Sequence, residues 1–309
     1  MISLTLKHLR YFEALARHRH FGRAAEDCGI SQPALSVQVK ELEALLGAPV
    51  IERGTRQIRL SGLGEALAER ARDILRAVEE LDDLARAARG GLTGRLRIGV
   101  IPTIAPYLLP GLIKTLGAQN PDLDIRPREA VTQVLIRDLV EGRMDLAIVA
   151  LPVSEPALHE EPLFDEDFVL VRPLADAHRP VPCPETLCEM RLLLLEEGHC
   201  FRDQALSFCA PTTRAARDMM EGSSLATLVQ MVGAGIGVTL IPEMAIATET
   251  RSAAVSVARL PAPCPKRTVG MVWRRTSPLA PQFAAIAAML RPPAQPSASA
   301  AAPVASTTA

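Results

Sequence analysis

The sequence predicts an α/β protein with a helical N-terminal segment and a larger region in which strands and helices alternate. Apolar residues recur at helical spacing through the first 88 residues, and Gly90 and Gly91 then interrupt the pattern. From Arg95 onward, short apolar runs alternate with helical segments. The chain has 309 residues, 48% of them hydrophobic, which is long for a single core. We therefore expect more than one domain.

Three helices and a hairpin are expected before residue 61. The apolar spacing predicts helices over residues 6–18 and 21–28, and a third that begins after Ser31 and stops at Gly47. Residues 50–60 have the pattern of a small β-hairpin with a glycine near its tip. This order of elements is that of a winged helix-turn-helix, whose second helix of the pair enters the DNA major groove.

The third helix has one apolar face and one face suited to DNA. The apolar face (Leu35, Val39, Leu42 and Leu46) should pack inward, and small or polar side chains lie roughly opposite. Residues 1–60 carry nine Lys/Arg against six Asp/Glu, which is a weak positive excess. A small helical bundle that binds protein is the alternative. The candidate DNA contacts are Ser31, Gln32, Pro33, Ser36, Val37 and Lys40 on the helix, with Arg53 and Arg56 in the hairpin.

A long helix follows Ser61-Gly62 and runs to about Ala88 with an apolar stripe. Its length and isolation predict a dimerising linker, although a helix packed within one domain is the alternative. We expect four parts: a DNA-binding domain at 1–62, a linker helix at 63–91, a regulatory domain at 92–290 and a disordered tail at 291–309.

The regulatory region should contain a mostly parallel sheet with covering helices. Its length suits two α/β lobes with a cleft between them, lobe I at about 92–164 and 268–290 and lobe II at about 165–267. Strands are predicted at 97–101, 124–130 and 145–150 and near 167–171, 191–195, 236–241 and 268–273, with helices at 106–118 and 132–143 and near 224–233 and 278–290.

The sequence points to the cytosol. No apolar run approaches the ~20 residues that span a bilayer, and the N-terminus lacks a signal-peptide pattern. The six cysteines should then be reduced, so that any disulfide is regulatory. Cys183 and Cys188 lack a second Cys/His pair to complete a metal site, and no catalytic triad is visible. We expect no metal, no cofactor, no membrane partner and no enzymatic activity.

The segment from residue 192 to residue 209 contains two cysteines that could be oxidised. An apolar run at Leu192–Leu195 leads through Gly198 into a predicted short helix, with Cys200 near its N-terminal end. The helix dipole, His199 and Arg202 would favour the thiolate, the form that peroxide oxidises. Cys209 is a candidate partner, but nine helical residues rise ~13.5 Å, whereas a disulfide needs Cα atoms within ~7 Å. A disulfide would therefore require this segment to unwind; alternatively, the two cysteines only fill space.

Several motifs carry a resemblance to a known family. Phe21-Gly22-Arg23-Ala24-Ala25, Ser31-Gln32-Pro33-Ala34-Leu35-Ser36, Leu42-Glu43, Leu46-Gly47 and Glu52-Arg53 closely resemble the LysR-type transcriptional regulators. The resemblance covers nearly the whole chain. It implies a winged helix-turn-helix, a dimerising linker helix and a two-lobed, periplasmic-binding-protein-like effector domain, assembled as a homodimer or a homotetramer built from two dimers.

The cysteine segment resembles the peroxide-sensing OxyR branch of that family. The motif is Gly198-His199-Cys200-Phe201-Arg202-Asp203-Gln204-Ala205 with Phe208-Cys209. The resemblance implies that Cys200 is the peroxidatic thiol and Cys209 the resolving one. It also implies a peroxide pocket formed by Thr103, Thr132, His199, Asp203 and Arg267. For each threonine alone, a helix cap is the alternative role.

By the same resemblance, the protein would bind double-stranded promoter DNA and act with RNA polymerase, as an activator of oxidative-stress genes. Hydrogen peroxide would switch it on, and a thiol reductant would reset it. Residues 210–220 are less acidic than the branch leads us to expect, which bears on the packing of the oxidised form. Two alternatives remain: a LysR-type regulator that senses a small organic metabolite in the interlobe cleft, and a thiol peroxidase or disulfide enzyme.

Overall fold

The structure is a computed structural model that describes residues 3–52, 58–88, 91–198, 200–208, 220–262 and 264–291. Arg53, Arg56 and the hairpin tip lie outside the described residues, as do Cys209 and all of the expected tail after Arg291. The chain divides into two compact units, whose main parts are Met1–Gly91 and Leu92–Thr276. In the described part of the chain, no helix has the length and apolar character needed to cross a membrane.

The N-terminal unit contains the predicted helices. They are α1 (Leu6–His18), α2 (Phe21–Asp27), α3 (Gln32–Leu46) and α4 (Gly62–Ala88). Thr5 and His8 form a capping box at the start of α1, and Ser31 caps α3 by accepting a hydrogen bond from the Ala34 amide. Among the described residues, the hairpin contributes an antiparallel bridge between Ile51 and Leu60.

The inward face predicted for α3 is confirmed. Leu35, Val39 and Leu42 are buried in a core shared with α1 and α2, and Leu46 packs against that core. The carboxylate of Glu43, also on α3, accepts hydrogen bonds from the backbone amides of Val50 and Ile51 at 2.8 and 3.4 Å. This contact fixes the start of the hairpin against the helix that carries the candidate DNA-binding residues.

The stripe of α4 is largely uncovered. Leu63, Ile74, Leu81 and Leu84 are between 43% and 63% exposed, although the sequence places them on its apolar side. An ordinary packed helix would bury such residues at a gain of about 1.5–3 kcal/mol each. Their exposure in the single chain favours a partner helix over packing within one domain.

Gly64 lies where the first turn of α4 approaches the hairpin. A Cβ built there would stand 2.1 Å from the carbonyl oxygen of Val50, which also accepts a hydrogen bond from the Ser61 amide. We expect Gly64→Ala to destabilise this unit by about 1–3 kcal/mol, because backbone has to move to relieve the overlap. Hydrogen-exchange mass spectrometry of the full-length protein would show faster amide exchange in residues 42–68.

Gly62 provides the matched control for this substitution. It occupies the same helical turn, but a Cβ there meets nothing within 4 Å. Gly62→Ala should therefore leave exchange unchanged or slow it slightly, since alanine is the better helix former. Equal effects of the two substitutions would contradict the steric argument.

The second unit is a mixed α/β domain with two sheets that share one long strand. Its strands run in the order β2-β1-β3-β9-β4-β7-β5-β6, and β8 also pairs with β4. They are β1 (Gly94–Val100), β2 (Leu123–Glu129), β3 (Leu146–Leu151), β4 (Leu158–Pro173), β5 (Leu192–Leu195), β6 (Met220–Gly222), β7 (Val238–Pro242), β8 (Val255–Arg259) and β9 (Lys266–Arg274).

The helices of this unit are close to those predicted, with two short additions (α7 and α10). They are α5 (Ala105–Gln119), α6 (Thr132–Val140), α7 (Pro184–Glu189), α8 (Cys200–Phe208), α9 (Leu225–Gly233), α10 (Ile246–Glu249) and α11 (Ala280–Leu290). Of these, α8 is the short helix that was expected after Gly198, whereas α7 and α10 were not expected.

The expectation of a mostly parallel sheet is wrong. Pairs β1-β2, β1-β3, β5-β6 and β5-β7 are parallel, but β4 and β9 make only antiparallel pairs among the described strands. The strand expected near 167–171 is the second half of β4, which continues from one sheet into the other. A pattern of alternating strands and helices does not reveal a strand that crosses between lobes.

Candidate functional site

Cys200 stands where β5 gives way to α8. All four residues of β5 are buried, and the chain turns at Gly198, whose φ of +95° favours glycine. Cys200 is the first residue of α8 and is a half-buried free thiol. The predicted position of this cysteine at a helix start is therefore confirmed.

The helix α8 is held by apolar contacts on one side. Phe201 is 1% exposed, and its ring centroid lies 4.7 Å from that of Phe168 on β4. Ala205, one turn later, is also buried. Unwinding α8 would withdraw Phe201 from this core, at a loss of about 1.5–3 kcal/mol if the ring became exposed.

Arg202 makes contacts other than the one expected. Its guanidinium forms an ion pair with Glu221 on β6, and Nη1 lies 3.5 Å from the Leu195 carbonyl oxygen. These contacts tie α8 to β5 and β6 and compensate the arginine charge with a carboxylate. Arg202 therefore holds the helix in place. None of these contacts supports the expectation that Arg202 stabilises the Cys200 thiolate.

Three predicted members of the site lie outside the described residues. These are His199, Cys209 and the side chain of Asp203. Cys200 through Phe208 are helical, as expected, so the chain leads away from Cys200 for about 12 Å before residue 209.

Arg267 and Thr103 form a buried cluster. Arg267 is 2% exposed and donates from Nη1 to Thr103 Oγ1 at 2.7 Å and from Nη2 to the Thr103 carbonyl oxygen at 3.0 Å. These two predicted residues are thus brought together from 164 positions apart.

Glu166 completes this cluster and was not predicted from the sequence. Its Oε2 accepts from Arg267 Nε at 2.8 Å, and its Oε1 accepts from the Met244 amide at 2.8 Å. Glu166 shares a face of β4 with the buried Phe168 and Leu170. A carboxylate at an inward-facing strand position was the signal that could have found it, because a buried carboxylate needs a partner.

The hydroxyl of Thr103 accepts a hydrogen bond from Arg267 and can donate one to another group. Thr103 is 2% exposed, and its oxygen accepts from a guanidinium, which leaves its own proton to be donated elsewhere. No acceptor for that proton lies among the described residues. A buried O–H next to a cation is suited to donate to an oxygen that gains negative charge.

Thr132 also has a buried hydroxyl, and its oxygen has no hydrogen-bond partner in the described structure. It is the first residue of α6, and Val131 is the N-cap with no side-chain hydrogen bond, so the alternative role of Thr132 as a helix cap is not adopted. Thr103 and Thr132 each follow the carboxyl end of a strand, and those strands, β1 and β2, are parallel neighbours. Ligands bind at such strand ends in open α/β sheets.

The candidate DNA-binding residues differ in accessibility. Gln32, Pro33, Val37 and Lys40 are exposed on α3, whereas Ser36 is half-buried. The hydroxyl of Ser31 accepts the capping hydrogen bond from Ala34 at 3.4 Å, so one of its two acceptor sites is already used. Pro33, Val37 and Lys40 lie on the side of α3 away from its buried leucines, and Gln32 is exposed in the first turn of the helix.

The other described cysteines differ in their exposure, and burial affects two of them. Burial raises the pKa of Cys28, with Asp27 adding to the shift, and burial likewise raises the pKa of Cys264, with Asp167 adding. Cys183 is exposed. The described residues include no group of three or more His, Cys, Asp or Glu side chains that could hold a metal ion.

These differences predict a pH dependence of alkylation. Because only the thiolate reacts, Cys28 and Cys264 should label with iodoacetamide more slowly than Cys183 at neutral pH. Their rates should keep rising above pH 9.0, the ordinary value that their raised pKa exceeds. Peptide mass spectrometry after timed labelling measures all three rates, and faster labelling of Cys264 than of Cys183 would contradict this order.

Two family profiles match this chain. The profile described as "Bacterial regulatory helix-turn-helix protein, lysR family" matches residues 6–65, and "LysR substrate binding domain" matches residues 89–294. The chain belongs to the LysR family. The helical N-terminal unit and the mixed α/β domain described above correspond to these two matched regions.

Similar curated relatives place this LysR-family chain in the OxyR branch. A probable hydrogen peroxide-inducible genes activator of Streptomyces viridosporus is 44% identical over 93% of both chains. The transcriptional dual regulator OxyR of Escherichia coli K12 is 39% identical over 93% of this chain and 95% of that one.

Solved OxyR structures share the fold. A full-length cysteine-to-aspartate variant of Pseudomonas aeruginosa OxyR has a TM-score of 0.73 and 38% identity, over 93% of this chain and 94% of that one. A hydrogen peroxide-bound cysteine-to-serine variant of Corynebacterium glutamicum OxyR has a TM-score of 0.64 and 37% identity, over 93% and 91% of the two chains.

Proposed function

We propose that this LysR-family protein is a cytosolic, DNA-binding transcription regulator of the OxyR type that senses hydrogen peroxide through Cys200. The observation that carries the proposal is a free, half-buried thiol at the first residue of α8, in a chain 37–44% identical to peroxide-inducible activators. Activation of oxidative-stress genes is the corresponding output.

The chemical step is a thiolate displacement on peroxide. The Cys200 thiolate attacks one peroxide oxygen, the O–O bond breaks, and Cys200 becomes a sulfenic acid as hydroxide departs. The departing hydroxide takes its proton from water and is stabilised by hydrogen bonds. The Thr103 hydroxyl accepts from Arg267 and has its own proton available for such a hydrogen bond, and Thr132, His199 and Asp203 are the further proposed pocket residues.

The second step is disulfide formation. The Cys209 thiol attacks the sulfenic sulfur, a Cys200–Cys209 bond forms, and water is released. Since α8 separates the two residues by more than a disulfide can span, the helix has to unwind. Loss of the Phe201–Phe168 contact and of the Arg202–Glu221 ion pair would carry this change into the core of lobe II. A thiol reductant reverses the reaction.

The output is carried by the DNA-binding unit. Gln32, Pro33, Val37 and Lys40 are exposed on α3, and we propose that they, with Ser31, Ser36, Arg53 and Arg56, contact promoter DNA. The uncovered stripe of α4 supports a homodimer through paired helices, from which a tetramer can be built. RNA polymerase is the proposed partner on the promoter.

Mass spectrometry of the peroxide-treated protein tests the proposed chemistry. We expect a peptide pair linked through Cys200 and Cys209, with free thiols at Cys28, Cys183, Cys188 and Cys264. In Cys209→Ser, the sulfenic acid at Cys200 should persist and be trapped by dimedone, because its resolving thiol is absent. A linkage between other cysteines, or an unmodified Cys200, would overturn the proposal.

A further inference from the structure

A cavity of about 450 Å³ lies in lobe II between β4 and the segment that follows it. Apolar side chains make much of its wall, namely Leu170, Val181 and Met190 with two prolines, Pro180 and Pro182. Its volume is within the range of about 300–1,000 Å³ that small-molecule sites occupy. Neither Cys200 nor Thr103 lines it, so it is separate from the thiol site.

Arg172 brings a positive charge to this cavity. It lies on β4 and is 7% exposed. Nε is 3.3 Å from Ser256 Oγ, Nη2 is 2.8 Å from the Ala177 carbonyl oxygen, and Nη1 is 2.8 and 3.3 Å from the carbonyl oxygens of Arg179 and Pro180. These contacts hold the segment after β4 over the sheet and leave one Nη2 hydrogen without an acceptor in the described structure.

The charge of Arg172 has no anionic partner in the described part of the chain. All of its hydrogen-bond acceptors are neutral oxygens. Asp176, the carboxylate in the cavity lining, is ion-paired with Arg179 at 3.1 Å. A buried cation among neutral dipoles has lost its hydration without gaining a counter-charge, and a carboxylate that enters beside it supplies one.

We propose that this cavity binds a small organic acid, with its apolar body against Leu170, Val181 and Met190 and its carboxylate at Arg172. The apolar lining selects for an aromatic or branched aliphatic body, and the buried charge selects for the anion over the corresponding alcohol. A ligand there would brace the segment that Arg172 holds, within the same lobe as Cys200.

Cys183 provides a reporter for this site. It is exposed, lies in the cavity lining, and its Sγ is 3.2 Å from Thr186 Oγ1. A bound ligand should shield this thiol from alkylation. Cys264, which does not line the cavity, serves as the internal reference within the same protein.

The test uses the full-length reduced protein with phenylacetate as the probe and 2-phenylethanol as the uncharged control. We expect phenylacetate at about ten times its Kd to slow N-ethylmaleimide labelling of Cys183 roughly ten-fold, with no change at Cys264. Phenylethanol should protect far less. Absence of protection by phenylacetate, or equal protection by both compounds, would overturn the proposal.

Two matched substitutions sharpen the test. Val181→Trp fills the cavity, and Val257→Trp places the same side chain on β8 at a residue that is equally exposed, 37% in both cases. The ratio of Cys183 labelling rates without and with phenylacetate should fall to one in Val181→Trp and stay unchanged in Val257→Trp. Protection that persists in Val181→Trp would place the binding site elsewhere and contradict the proposal.

Discussion

Replacement of Cys200 by serine is expected to abolish the response of the protein–DNA footprint to hydrogen peroxide. The serine hydroxyl is nearly isosteric but is not a nucleophile toward peroxide at neutral pH, so no sulfenic acid forms. Because Cys200 is only half-buried at the helix start, the substitution should leave folding and DNA binding in the reduced state intact. Footprints of both proteins on one promoter, with and without peroxide, provide the measurement.

Two other cysteines provide controls for this substitution. Cys264→Ser removes a partly buried thiol whose Sγ is 3.4 Å from the Phe168 carbonyl oxygen, and Cys183→Ser removes an exposed one. Both variants should respond to peroxide as the wild type does. If the footprint of Cys200→Ser still changes with peroxide, the proposed sensing chemistry is wrong.

Cys200→Ser also distinguishes the proposed function from the two alternative functions. A regulator that senses a metabolite in the interlobe cleft would keep its ligand response in Cys200→Ser and gain thermal stability from that ligand. A thiol peroxidase would show repeated turnover of peroxide with a reducing partner, and its activity would not require residues 1–90.

Arg267→Met is expected to have the largest effect on stability. Arg267 and Glu166 are 2% and 7% exposed and are joined at 2.8 Å, so removal of the guanidinium leaves a buried carboxylate without its charge partner. Breaking such a pair destabilises a protein by about 3–5 kcal/mol. Thr103 loses both of its hydrogen-bond donors in the same step.

Urea unfolding followed by tryptophan fluorescence measures this loss. The single tryptophan of the chain, Trp273, is 3% exposed and lies on β9, the strand that also carries Arg267. The midpoint should shift to lower urea in Arg267→Met. Lys266→Met is the matched control, because Lys266 is exposed and its pairing with Asp165 at 3.4 Å is expected to contribute at most about 1 kcal/mol.

A double variant tests why Arg267→Met is expected to destabilise the protein. If the loss comes from an uncompensated buried carboxylate, Arg267→Met combined with Glu166→Met should recover part of the stability, since two apolar side chains replace two charges. A double variant less stable than Arg267→Met would show that packing, and not charge, holds this cluster.

The helix and strand positions near the site were predictable because they depend on short-range pattern. The start of α8 at Cys200 follows from the apolar run Leu192–Leu195 and the turn at Gly198. The inward face of α3 follows from its leucine and valine spacing. Only a few neighbouring residues decide these features, and those residues are read directly from the chain.

Strand direction was not predictable in the same way. Only the second half of β4 was predicted, as a strand near 167–171, and nothing local shows that it belongs to one strand of 16 residues. The strand β8, paired antiparallel with β4, was missed because its five residues are only partly buried and lack a continuous apolar run.

The sequence by itself determined that Cys200 begins a helix after a buried strand, because a strand end, a glycine turn and a helix start are local features. Only the tertiary structure decided which charges surround the site. Glu166 faces Arg267 because the register of β4 on β9 places them directly opposite, 101 positions apart. Arg202 pairs with Glu221 because β6 lies beside β5. Such partners depend on strand register, and no periodicity in a single chain specifies it.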